Sequence, residues 1–112
     1  MIEHYEFGSY IINGIRYQYD IKLYMDHVEE WDGREGHIIR AADIHDLVTF
    51  RPQAIVIGTG AYDRVRVEPD VEKELKKADI QLFKLPTPQA VQKYNELIKH
   101  GKKVCGVMHA TC

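Results

Sequence analysis

Cysteine occurs only twice in this chain of 112 residues. A disulfide framework is therefore excluded, and the composition reads as that of a reducing compartment, most simply the cytoplasm. The two thiols are not partners of one another. Cys105 sits inside a strand-like segment and Cys112 lies seven residues on, more than about 20 Å away when extended, against a Cα–Cα limit near 7 Å for a disulfide, so that only a sharp reversal after His109 could join them. Long apolar runs are also missing, since none approaches the roughly 20 residues that span a bilayer. The opening "MIEHYEFGSY" leans acidic and lacks the basic-then-apolar order of a secretory signal. Strong charge of one sign is absent too. With 15 Lys and Arg against 17 Asp and Glu, the formal net charge of −2 gives no electrostatic ground for nucleic acid or a membrane as partner.

What is present is ordinary for one globular domain spanning residues 1–112, with 45% hydrophobic and 29% charged residues around a single core. The first half reads as antiparallel. Asn13-Gly14 suits the positive-φ positions of a type I′ turn and predicts a hairpin of Ser9–Ile12 with Ile15–Gln18. Asp20–Met25 reads as a third strand, and the polar stretch 26–37, "DHVEEWDGREGH", reads as a loop. The second half changes rhythm. Ala41, Ile44, Leu47 and Val48 share a helical face, while "AIVIGTG" at 54–60 is a strand buried on both sides. "RVRV" at 64–67 reads as a brief edge strand, and Pro69 opens a helix to about residue 78. Ile80–Leu85 is a strand. Thr87 reads as the N-cap, and Pro88 as the first residue, of a helix running to about His100. Lys103–His109 is the last strand. Strands alternating with helices make a βαβαβ pattern, so the class is α/β with a parallel C-terminal half and an N-terminal antiparallel hairpin.

Parallel strands end at one edge, which places Gly58-Thr59-Gly60, Pro86-Thr87-Pro88 and the terminal His109-Ala110-Thr111-Cys112 side by side. Ligands of open α/β sheets favour that edge. "IGTGAYD" falls short of a dinucleotide fingerprint, because Asp63 occupies the third glycine position and alternating "RVRV" follows where a helix should start. His109 and Cys112 offer a base and a thiol, but the adjoining α-carboxylate disfavours the thiolate. Cys105 and His109 lie about 13 Å apart along an extended strand, too far to share a metal, and no ligand spacing supports a metal at His37, His109 and Cys112. His4, His27, His45 and His100 read as surface residues. In "WDGREGHIIR", Trp31, Arg34, Glu35 and His37 make either a lid over the edge or a loop plugged by Trp31.

Taken together, "EFGSYIINGIRYQYDI", "WDGREGH", "AIVIGTGAYDRVRVEP", "LPTPQAVQKYNELIKHGKKV" and "HATC" resemble a family of small domains of largely unknown function. It includes the adipogenesis-associated domain protein and mitochondrial complex I assembly factor 3. The resemblance implies a compact three-layer α/β domain around a mixed central sheet, and supplies no established activity or cofactor. Its recurrent polar positions map onto Arg34, His37, Gly58, Thr59, Gly60, Thr87, His109, Thr111 and Cys112. The assembly roles of its eukaryotic members favour binding over catalysis.

The sequence therefore leads to a binding domain without cofactor or metal, taking a small anionic or carbonyl ligand or a protein partner at a polar sheet edge. The alternative is a thiol-dependent enzyme, a transferase, hydrolase or redox protein, using Cys112 with His109 as base.

Overall fold

The computed structural model describes residues 1–31 and 36–111. Among the described residues, ten strands and three helices follow in the order β1 (Ile2–Glu6), β2 (Ser9–Ile12), β3 (Ile15–Tyr17), β4 (Ile21–Leu23), β5 (Val28–Glu30), β6 (Ile38–Ile39), α1 (Ala41–Val48), β7 (Ala54–Gly58), β8 (Arg66–Val67), α2 (Pro69–Lys77), β9 (Gln81–Leu85), α3 (Thr87–Lys99) and β10 (Val104–Met108). The domain is mixed α/β, built on a five-stranded sheet of order β5-β4-β10-β7-β9, with a separate antiparallel sheet β1-β2-β3. Strand β10 is parallel to β7, and β7 to β9, whereas β4 joins β10 antiparallel. The last strand thus runs in the direction that the βαβαβ pattern requires.

Period-two burial explains the layers. In β7, Val56 enters one apolar cluster with Ile21, Leu23, Tyr94 and Met108, under α3 and the N-terminal sheet. Its neighbours Ile55 and Ile57 enter the other, with Ile44, Leu47, Val71 and Leu75 of α1 and α2. Every residue of β7 and β10 is buried, as the unbroken apolar runs foretell. The hairpin turn is as expected, with Asn13 at φ 52° and Gly14 at φ 79°.

Several local readings need correction. Ile2–Glu6 is a strand that the sequence did not announce; it pairs with β2, and Asn95 of α3 brackets the backbone of Ile2 with two hydrogen bonds. The stretch 26–37 is not all loop, because Val28–Glu30 pairs with β4 at the sheet edge. The strand read as Asp20–Met25 is limited to Ile21–Leu23 and extends the central sheet, antiparallel to β10. Thr87 is the first helical residue and Pro86 takes the cap position, so the Thr87 hydroxyl is available for other bonds. "RVRV" does contribute a strand, which pairs with Ile38–Ile39. Among the described residues no helix is long and apolar enough to cross a membrane.

The tip of β7 is tightly constrained. A Cβ on Gly58 would stand 2.8 Å from Met108 Sδ and 2.9 Å from Thr87 Oγ1. Replacing Gly58 with Ala is expected to cost roughly 1–3 kcal/mol through overpacking, read as a lower urea midpoint with unchanged slope.

Candidate functional site

The antiparallel register of β4 on β10 sets Ile21 opposite Met108, which carries Asp20 to a position opposite His109. The two side chains meet there. Asp20 Oδ2 lies 2.7 Å from His109 Nδ1, with the imidazole 3% and the carboxylate 12% exposed. The other oxygen, Oδ1, accepts the Ala110 N–H at 2.8 Å, and the Asp20 carbonyl accepts the Trp31 N–H at 2.7 Å. A carboxylate only accepts, so this pairing assigns the Nδ1 proton to the imidazole and leaves its remaining chemistry at Nε2. The His37 ring stands edge-on to His109 with centroids 5.8 Å apart.

The three strand tips do come together, and they do so by bonding to one another. The Thr87 hydroxyl accepts the Gly60 N–H at 2.9 Å and donates to the His109 carbonyl at 2.7 Å. Thr87 N–H donates to the Gly60 carbonyl, His109 N–H to Gly58, and Ala61 N–H to Thr111. Gly58, Thr59, Gly60, Thr87 and His109 are all buried, and Thr111 is half-buried. The Thr59 hydroxyl donates to Asp63. Of the residues named from sequence, Gly58, Thr59, Gly60, Thr87, His109 and Thr111 form one hydrogen-bonded seam, and His37 touches it as an exposed residue. Arg34 and Cys112 lie outside the described residues.

Beside the seam is a crevice of about 250 Å³ lined by Gln18, Tyr19, Asp20, Trp31, His109, Ala110 and Thr111. Trp31, the residue read as either lid or plug, is half-buried against the α1–α2 side of the core and also walls this crevice. Lys22 holds it from beneath, with Nζ 4.9 Å from the indole centroid. The same ammonium donates to the Asp43 carbonyl and to Asp46, which also accepts the Tyr24 hydroxyl. Burial works to raise the Asp46 carboxyl, but these two partners outweigh it and hold it below the ordinary carboxylate value. On the other side, Tyr5 donates to the Ala110 carbonyl at 2.8 Å. Burial, aided by the Asp20 charge, pushes the Tyr5 phenol up to about 12, so it stays a donor throughout the neutral range. The Tyr10 hydroxyl nearby is fully buried and has no hydrogen-bond partner among the described residues.

Sequence reasoning passed over Asp20, Lys22 and the residues flanking Asp20. The usable signal was register: had β4 been paired with β10, the alternation would have put Asp20 across from His109.

A family model described as a protein of unknown function (DUF498/DUF598) matches residues 2–109. The fold is similar to that of the conserved hypothetical protein PH1505 from Pyrococcus horikoshii OT3, with a TM-score of 0.87 at 23% identity over 100% of this chain and 99% of that one. It is also similar to the structure named MT938, with a TM-score of 0.83 at 25% identity over 100% and 98% of the two chains. A Bordetella pertussis protein described as a Mth938-like domain matches with a TM-score of 0.71 at 18% identity, covering 97% of this chain and 84% of that one.

Replacing Asp20 with Ala is expected to cost roughly 2–4 kcal/mol, because a buried imidazole and a buried N–H lose their acceptor together. Asp20→Asn retains an acceptor for Ala110 and should lose clearly less. Urea denaturation of the two variants side by side checks the order.

Proposed function

The chain belongs to the DUF498/DUF598 family of proteins of unknown function, and from that premise we propose that it is a binding domain whose site is the crevice beside His109. The occupant is a small molecule bearing a carbonyl or carboxylate. What carries this reading is the Asp20–His109 pair, hydrogen-bonded and nearly buried at the crevice wall. Buried polar pairs of this kind contribute little net stability, since the cost of desolvating the carboxylate offsets the hydrogen bonds it makes, so one lining a crevice is better explained by use. The crevice volume of about 250 Å³ suits a ligand of a few heavy atoms. Asp20 already accepts two donors and no Lys or Arg stands in the described lining, which favours a carbonyl oxygen received by hydrogen bonds. Trp31 and Tyr19 supply flat apolar walls, while Gln18 and Thr111 supply polar atoms that fix orientation. The cysteine content supports a cytoplasmic setting.

The test is an amide-resolved NMR titration with a panel of small carboxylates, amides and ketones. Saturable shifts are expected at the Trp31 indole and the Tyr19 and Thr111 amides, and they should be lost in His109→Gln. A panel that leaves those three signals unmoved overturns the reading.

A protein partner is the second reading, favoured by Phe7 and Tyr62. Their rings lie 6.0 Å apart and are 59% and 69% exposed, beside the backbone bonds that hold Ala110 and Thr111.

The thiol-dependent alternative rests on Cys112. Cys105 cannot stand in for it. That thiol is fully buried, and desolvation, then the Asp46 and Asp26 charges, push it up to about 12. A Cys112→Ser variant should therefore resist iodoacetamide at neutral pH until denatured. In the unaltered chain, a Cys112 thiol titrating near or above about 8.5 excludes the enzyme in its simple form.

A further inference from the structure

The same sheet edge carries a second, chemically different hollow on the far side of the β7 tip. A cleft of about 400 Å³ is lined by Thr59, Asp63, Arg64, Val65, Arg66, Val67 and Lys84. Three cations face a single carboxylate there, in a chain whose overall charge is −2. The lone acid is engaged, because Asp63 accepts the Thr59 hydroxyl. Carboxylates outside the lining reach two of the cations: Lys84 pairs with Glu72, and Arg66 lies 3.9 Å from Glu68 with its side chain 73% exposed. Arg64 has no carboxylate partner among the described residues. Local structure explains the convergence. Val65 donates its N–H to the Thr59 carbonyl, folding the 60–64 turn back on the strand tip, so that Arg64 and Arg66 line one cleft with Lys84 of the neighbouring β9. Val65 is buried, so this short segment is anchored rather than draped.

We propose that this cleft is a binding site for a small polyvalent oxyanion, with Arg64 and Arg66 as the forked donors and Lys84 as a point charge. Guanidinium pairs suit phosphate and carboxylate oxygens bidentately, and the position beyond the carboxyl end of a parallel strand is where such ligands gather. The site is separate from the crevice at His109, which lies across the Thr87 seam and carries no arginine in its described lining.

The experiment is a calorimetric and NMR titration of the intact chain with inorganic pyrophosphate and, in parallel, citrate, at about 20 and 150 mM salt. Saturable binding is expected at both salt levels, with shifts at the Thr59, Val65 and Val67 amides. Arg64→Gln combined with Arg66→Gln should weaken binding by about tenfold or more. Asp63→Asn, which keeps the acceptor for Thr59 and tolerates the positive φ, should tighten it. His109→Gln should leave it unchanged, so failure at one site is distinguishable from failure at the other. Preference for pyrophosphate over citrate, or the reverse, assigns the oxyanion class. Binding that does not saturate, that disappears at the higher salt, or that persists undiminished in the double arginine variant overturns the proposal.

Discussion

The carboxylate of Asp20 is the constraint around which the sheet edge is organised. A nearly buried carboxylate left without donors would cost several kcal/mol, so the structure around it has to present them. It receives the imidazole of His109 on one oxygen and the Ala110 N–H on the other, while its own carbonyl receives Trp31. Three separate stretches are thereby fixed relative to one another: the start of β4, the chain after β5, and the exit from β10. Removing the charge would release the exit from β10, while the Trp31 N–H, held by the main-chain carbonyl of Asp20, would keep its acceptor.

The seam of Thr87 gives that edge its second property. A threonine hydroxyl inside the first helical turn, bonded to Gly60 and His109, closes the space into which the three strand tips would otherwise open. What remains accessible lies to either side of it. On one side an acid is hydrogen-bonded to an imidazole. On the other, positive charge is in excess. The two hollows on one sheet edge thus differ in electrostatic character, with Asp20 lining the first and Arg64, Arg66 and Lys84 the second.

Much of this architecture is legible from local pattern. Asn13-Gly14 carries its turn chemistry in two residues, and the runs 54–58 and 104–108 are apolar enough that only a doubly covered strand accommodates them. The stripes of α1 and α2 follow from helical spacing. What escaped the reading depends on partners distant in sequence. Val28–Glu30 is a strand because β4 offers it an edge, and its own residues are too polar to announce it. Ile2–Glu6 is held by β2 and by an asparagine 93 positions away. Asp20 is one acid among 17 until β4 is set against β10. Thr87 followed by proline looks like a cap, yet its hydroxyl has better acceptors and donors across the sheet than in its own helix. Of the candidate site, sequence located the strand tips and His109, whereas the side chain that orients His109 emerged only from register.

The placement of β10 has a consequence for biogenesis. The last of the described strands sits between β4 and β7, so neither of those earlier strands has its inner neighbour until residues 104–108 have been made. A nascent polypeptide stopped before residue 104 would expose Ile21 and Leu23 on one side and the whole of 54–58 on the other, both strongly apolar and both with open edges. Most of this domain therefore emerges from the ribosome before its central sheet can close. The interval between the two is when a holdase chaperone, or self-association in its absence, would compete for the chain.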